Sequence, residues 1–266
     1  MAEQCRVVWA DRDATAMAQV AASQRDEQGA TPLSRPEYLL VECDVTNPDH
    51  VQSLVQQADA FAEQGRRSEN LSASSTRGTI PMATLLVNCA GITRDGWVSN
   101  MKMEDWNDVI DVNLKGTFLT CRSFLDQERM GRWMLSANVD QETTGISSAH
   151  SAMSIVNLGS IVSEYGNLGQ ANYAASKGGV LGLTRALAKE SARRNVRVNC
   201  VLPGFIDTPM AQTIPDHVKT DVILPNIPMG RFGQPEEVAD TVAFLLSPRS
   251  SYITGEAVRV SGMITL

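Results

Sequence analysis

The chain has no surplus of positive charge, no paired cysteines, few histidines and no long apolar run, and each shortage removes a class of function. Its 23 Lys and Arg stand against 30 Asp and Glu, a formal net charge of -7. Broad contact with nucleic acid or an anionic membrane surface needs an excess of cations, so neither partner is expected. The basic pairs Arg66–Arg67 and Arg193–Arg194 read as solvated faces. The cysteines, Cys5, Cys43, Cys89, Cys121 and Cys200, are odd in number, lie mostly in apolar runs and contain no C-x-x-C. They read as small core residues of a reducing compartment. His50, His150 and His217 are scattered, without an acidic or thiol partner at ligand spacing, so no metal site is expected. No apolar stretch reaches the roughly 18 residues that span a bilayer. A secretory signal is absent as well.

What is present is an alternation. Strand-like runs recur at residues 6–10, 38–43, 85–88, 155–158, 197–202 and 257–260, with helical patterns at 14–23, 50–62, 103–125, 173–193 and 235–246 between them. Such alternation implies an α/β fold, a Rossmann-like doubly wound parallel sheet with helices on both faces. One domain over the 266 residues, without a linker, is the expectation. Two polar stretches, about 64–83 and 126–154, break the rhythm just before strands. They read as surface insertions at the edge away from the ligand side, or as translated non-coding sequence.

The richest segment is IVNLGSIVSEYGNLGQANYAASKGG. A strand ends at Gly159 and Ser160, a polar loop follows, and a helix starts near Tyr173. Tyr173 and Lys177 are four apart and so project from one helical face. This trio suits carbonyl reduction or its reverse. Tyr173 can protonate a developing alkoxide, although a phenol of pKa about 10 exchanges protons poorly near neutrality. The Lys177 ammonium is expected to lower that value. Ser160 can hold and polarise the carbonyl oxygen. No side chain delivers a hydride, so a nicotinamide must.

Ser160, followed thirteen positions later by Y-x-x-x-K, resembles the motif of the short-chain dehydrogenase/reductase family. The resemblance continues through LLVNCAGITRDG, where Asn88, Ala90 and Gly91 match the family's N-N-A-G turn and Cys89 replaces one Asn. In DVNLKGTF, Asn113 matches the residue that in this family holds a proton-relay water. In VLPGFIDTPM, Pro203, Gly204, Ile206 and Thr208 match the segment facing the nicotinamide carboxamide. Tyr173 and Lys177 are by the same resemblance cofactor-binding as well as catalytic. Within the family the chain is most similar to 3-oxoacyl-[acyl-carrier-protein] reductases, and to a branch of animal 17-beta-hydroxysteroid dehydrogenases that shares the ADRD after the first strand.

The resemblance implies an NAD-dependent oxidoreductase of 3-oxoacyl and 3-hydroxyacyl thioesters, of 17-keto and 17-hydroxy steroids, or of both. A subunit that has lost its cofactor and serves a hetero-oligomeric reductase structurally is the alternative. Asp11, ending a strand, would accept hydrogen bonds from the adenosine ribose and repel a 2′-phosphate, which favours NAD over NADP. Arg12 beside it could instead greet that phosphate, and Asp11 could equally be a helix cap in competition with Asp13 and Thr15. Asp44 resembles the residue that meets the adenine amino group. The family also has a strand and a T-G-x-x-x-G-I-G turn before the strand that carries Asp11, and no such sequence precedes Cys5. An incomplete N-terminus, with the first strand and helix missing, is expected ahead of a natural short form. The segment 209–232 reads as a substrate lid whose apolar content suits an acyl chain or a steroid. Arg94 and Arg122 are candidates for receiving a carrier-bound phosphate or acidic surface. Gly116, Thr117, Gly178, Gly179 and Gly182 are expected to face outward, where small residues permit helices to meet in a homo- or hetero-tetramer with a related short-chain reductase subunit. The mitochondrial matrix, or else the cytoplasm, is the implied compartment.

Overall fold

β-Branched runs and amphipathic helices alternate in the protein largely as their periodicities dictate. The computed structural model describes residues 6–19, 38–68, 82–136, 153–212 and 214–264. These fall into two compact units, Met1–Ala83 with Leu119–Asp140, and Thr84–Phe118 with Gln141–Leu266.

In the first unit β1 (Val7–Asp11) pairs in parallel with β2 (Tyr38–Glu42), Val7 opposite Tyr38 and Asp11 opposite Glu42. Trp9 and Tyr38 stack across the pair with ring centroids 5.3 Å apart. Helix α1 (14–19) is capped by Asp13, whose carboxylate accepts from the Ala16 N–H at 2.9 Å. Helix α2 (Pro48–Ser68) is capped by Asn47 and begins with a proline, as first turns favour. It runs into the stretch the sequence suggests as a polar insertion, of which 69–81 lie outside the described residues.

Unit 2 holds a four-stranded parallel sheet. Its order is β3 (Leu85–Asn88), β4 (Met153–Leu158), β5 (Val196–Pro203), β6 (Ala257–Val260). β4 and β5 are buried along almost their whole length, as continuous apolar runs in parallel sheets are. The long helical pattern after β3 resolves into α3 (Met103–Val109), a π-helical segment (Ile110–Gly116) and α4 (Thr117–Phe124). Short helix α6 (Val162–Tyr165) precedes α7 (Ala171–Ser191), which packs on the π-helical segment. Helices α8 (Pro209–Gln212) and α9 (Asp216–Val218) open the segment 209–232, and α10 (Pro235–Leu246) starts with a capping box between Gln234 and Glu237. Among the described residues no helix is long and apolar enough to cross a membrane.

Two expectations need correction. The second polar stretch contains a helix, α5 (Gln127–Ser136), capped by the Asp126 carboxylate and burying Met130 and Trp133 on one face. Its apolar residues, Met130, Trp133, Met134 and Leu135, stand among Gly131 and four charged or amide residues, which is why the pattern looks weak. The small residues expected to face outward divide. Gly116 and Thr117 are buried, and a Cβ on Gly179 would come within 2.6 Å of Leu114 Cδ2, so these serve helix packing inside the chain. Gly182 alone of this set has open space around its Cα.

Helix α5 is fastened by Arg129, 3% exposed, whose guanidinium makes a paired contact with Asp59 through Nε at 3.0 Å and Nη2 at 2.9 Å. The same group donates to the carbonyls of Phe124 and Ala83. Removing one member of a buried ion pair strands the other, at about 3–5 kcal/mol. Arg129→Met is therefore expected to lower unfolding free energy by about that amount, read as a lower urea midpoint at unchanged denaturant slope.

Candidate active site

β4 delivers the chain to the site. At Gly159 a Cβ would lie 2.5 Å from Leu202 Cδ2 and 2.8 Å from Cys200 Sγ, so glycine is needed for the strand end to pass over β5. Ser160 follows, 5% exposed, its Oγ accepting from the Val162 N–H at 3.2 Å. The Ile161 N–H donates to the Pro203 carbonyl, which ties the ends of β4 and β5 together. Helix α7 then carries Tyr173 in its first turn and Lys177 in its second. The Tyr173 phenol has the Ser160 hydroxyl as a hydrogen-bonding partner, and Lys177 Nζ lies 5.8 Å from the centroid of the Tyr173 ring. Lys177 is 4% exposed and donates to the Leu158 carbonyl at 2.7 Å. The three residues read from the motif thus converge at the C-terminal end of β4.

Their electrostatics depart from expectation in one respect. Burial pushes the Tyr173 phenol above its usual range; the Ser160 contact pulls it down and the Asp95 carboxylate pushes it further up. The ammonium, 5.8 Å from the ring centroid, is not among the groups that pull the phenol down. Burial lowers Lys177 to about 8, opposed by the neighbouring thiols of Cys200 and Cys89. Burial likewise raises Cys200 to about 11 and Cys89 upward. Three of the four cysteines in the described residues are buried; Cys89, at the turn after β3, is exposed as a residue while its thiol is largely desolvated.

That turn runs beside the lysine. Asn88 donates to Asn157 Oδ1 at 2.8 Å, and Asn157 donates to Thr184 Oγ1 at 2.9 Å, which braces β3, β4 and α7. Ala90 is exposed, and a Cβ on Gly91 would stand 3.4 Å from Lys177 Nζ and 3.5 Å from Asn113 Oδ1. Asn113 sits fully buried in the π-helical segment, a local feature common at functional sites. Its amide exchanges hydrogen bonds with both backbone groups of Ile92 and donates to Ser176, while its carbonyl accepts from Thr117 Oγ1. The side chain is thereby engaged in holding the loop.

After β5, Gly204 lets the chain pass Ser261, whose Cα a Cβ would approach to 2.8 Å. Ile206 bridges to Gly233, and Thr208 caps α8 by accepting from the Ala211 N–H. Ile223 and Ile227 of the segment 209–232 are buried in the cluster against which Tyr173 packs, while Met210, Val222 and Met229 are half or more exposed. Arg94 is partly exposed beside Asp108, and Arg122 is exposed.

Asp11 and Asp44 belong to the other unit. Asp13, not Asp11, caps α1, and the exposed Asp11 carboxylate accepts only from the Asp13 N–H among the bonds seen here. Asp44 holds Thr46 through both its N–H and its hydroxyl, which keeps the carboxyl below its usual range. Taken by itself, the exposed carboxylate at the end of β1 in unit 1 suits the ribose hydroxyls of a nicotinamide cofactor. In unit 2, considered separately, the exposed residues Cys89 and Ala90 stand at the turn that leads to Gly91 beside Lys177. Among the described residues no glycine-rich turn opens a helix after a strand, so none of them would cradle the pyrophosphate. Two contributors escape sequence reasoning, Asp95 and Asn172, because each acts through contacts distant along the chain and neither belongs to the motif.

Comparison with known proteins bears on the same segments. Residues 74–263 match the model of a family described as enoyl-(acyl carrier protein) reductase. The chain is 47% identical over 182 residues to the 3-oxoacyl-[acyl-carrier-protein] reductase FabG of Thermotoga maritima, covering 68% of this chain and 66% of that protein. It is 48% identical over 179 residues to the (3R)-3-hydroxyacyl-CoA dehydrogenase of Rattus norvegicus, covering 67% of this chain and 62% of that protein. The same holds for the (3R)-3-hydroxyacyl-CoA dehydrogenase of Homo sapiens at 48%, with 67% and 61% covered. The chain therefore spans somewhat less than two thirds of the length of these relatives.

The buried lysine has a measurable signature. In the folded protein Lys177 loses its proton near 8, whereas in the unfolded chain it does so near about 10.4. Between those values the unfolded state binds more protons, so the lysine's contribution makes stability rise with pH. Cys89 and Cys200, both raised, act in the opposite sense; because the Lys177 charge lowers both, its loss raises them further and leaves the sign of the comparison unchanged. Unfolding free energy of the wild type minus that of Lys177→Met is expected to grow by on the order of 2 kcal/mol from about pH 8 to about pH 10, measured by urea titration.

Proposed function

The chain belongs to the short-chain dehydrogenase/reductase family, and we propose that it interconverts 3-oxoacyl and 3-hydroxyacyl thioesters by hydride transfer with NAD. The observation that carries this reading is the meeting of Ser160, Tyr173 and Lys177 at one strand end. A bound nicotinamide supplies or accepts the hydride. The Ser160 hydroxyl orients the substrate carbonyl and polarises it. Tyr173 gives its proton to the oxygen as negative charge develops there, and takes it back in the oxidative direction. A phenol held protonated by burial suits the reductive step. Lys177, with a proton affinity near neutrality, sits where it can resupply the site and meet a ribose hydroxyl.

The Asp11 carboxylate supports NAD over NADP, since a 2′-phosphate beside it would be repelled. Exposed Met210, Val222 and Met229 support an apolar substrate body, an acyl chain or the 17-keto and 17-hydroxy steroids of the related dehydrogenases. The resemblance also supports a tetramer, of this chain alone or with a related short-chain reductase subunit, and a mitochondrial setting.

Oxidation of NADH by a 3-oxoacyl thioester tests the reading. Tyr173→Phe is expected to lower kcat by about 10²–10⁴-fold, a far larger effect than its effect on NADH affinity. Asp11→Asn is expected to narrow the preference for NADH over NADPH by about tenfold, in keeping with the loss of a charge-assisted hydrogen bond. Absence of NADH binding by the wild type in a fluorescence titration would overturn the enzyme reading in favour of a structural subunit.

A further inference from the structure

The segment that follows the turn beside Lys177 is anchored twice. Asn113 holds its start at Ile92. The second anchor is Asn172, the residue before the proposed proton donor and 0% exposed. Its Nδ2 donates to the Arg94 carbonyl at 2.9 Å and to the Asp105 carbonyl at 3.3 Å, and its Oδ1 accepts from the Tyr173 N–H at 2.8 Å. One amide therefore joins the first turn of α7 to both ends of the stretch from Arg94 to Asp105. It is not a helix cap in the usual sense, because the N-cap position is Gln170, whose side chain makes no capping bond. Two further contacts follow the same line: the half-buried Gly96 N–H donates to the Gly169 carbonyl at 2.8 Å, and Gln170 Nε2 donates to Asp95. The second is open to water and contributes less than the buried amide.

Only an amide of this length fits all three partners. It presents a donor pair and an acceptor from one rigid plane. Alanine in its place would leave two carbonyls and an N–H without their partner in a buried setting.

We propose that Asn172 is a positioning residue for the active site: by locking the Arg94–Asp105 stretch to α7 it holds the Tyr173 phenol against Ser160 and keeps the Asp95 carboxylate in a fixed place beside it. The proposal rests on the reading of Tyr173 as proton carrier, and Asn172 acts through Tyr173 without touching substrate. The groups facing Tyr173 are Asp95 from the loop after β3, Ser160 from the end of β4, and Lys177 from α7, with Cys89 and Cys200 beyond the lysine. Of these, Asp95 is the one charge carried by the clamped stretch. Burial, the largest influence, and Asp95 keep the phenol protonated against the smaller opposing pull of the Ser160 hydroxyl, so loosening the clamp relieves a net upward push.

The test follows Tyr173 ionisation in the full chain by NMR with Cζ-labelled tyrosine, the signal being assigned by its loss in Tyr173→Phe. Asn172→Ala is expected to ionise at lower pH than wild type, by threefold or more in the ionisation constant, on the order of a single hydrogen bond. Asp95→Asn should shift the wild-type titration in the same direction and shift it less in the Asn172→Ala background. Asn172→Ser, which keeps an acceptor near the Tyr173 N–H but does not reach both carbonyls, serves the same comparison if the alanine variant does not fold. Where turnover is measured, kcat is expected to fall about tenfold, KM and NADH affinity staying within about twofold. An unchanged Tyr173 titration, or equal effects of Asp95→Asn in both backgrounds, would reduce Asn172 to a stability residue and overturn the proposal. A wild type without turnover would count against the proposed reaction alone, since the ionisation comparison needs no substrate.

Discussion

A lysine ammonium kept almost wholly from water constrains everything around it. Lys177 is held by the Leu158 carbonyl at the end of β4, and its burial lowers its proton affinity to about 8. Such a group is tolerated only where the surroundings are fixed well enough to supply its partners. The glycine at 159, the tie between Ile161 and Pro203, and the turn at Cys89–Gly91 all bear on that corner. The same desolvation that weakens the lysine's hold on its proton strengthens the phenol's hold on its own, so two adjacent groups are moved apart in acidity.

The corner is framed by buried amides. Asn88 and Asn157 bridge two strands and reach Thr184 on α7; Asn113 and Asn172 hold the two ends of the loop after β3. Each of these side chains has partners for both its donor and its acceptor faces or hands the connection on to a neighbour. A fully partnered buried amide is specific in direction as well as favourable in energy, whereas an apolar side chain of equal volume is not directional. Unit 1 uses a different fastener, the paired contact of Arg129 with Asp59, to secure a helix that the apolar period alone specifies weakly.

Much of this was legible along the chain. Strand positions follow from short β-branched runs, and β6 and α10 fall where the periodicity puts them. The trio Ser160, Tyr173 and Lys177 was readable because a serine followed thirteen positions later by Y-x-x-x-K, among further matching motifs, resembles the family pattern; the helical spacing of four agrees with it but would not have singled it out. Helix α5 was obscured, since among its described side chains only Met130 and Trp133 are deeply buried and Gly131 lies between them. Gly179 read as an outward residue because a sequence does not say which face of α7 meets Leu114.

Local pattern determined the element types, the α/β class and the residues that meet at the strand end, because these depend on periodicities of two and 3.6 residues and on spacings within one or two turns. Tertiary structure alone decided the direction of the Tyr173 and Lys177 shifts, the engagement of Asn88 and Asn113 as braces, and the clamp at Asn172. The physical reason is the same in each case. Desolvation and hydrogen-bond partnership are set by groups tens of residues away in the chain, and no local window contains both ends of such a contact.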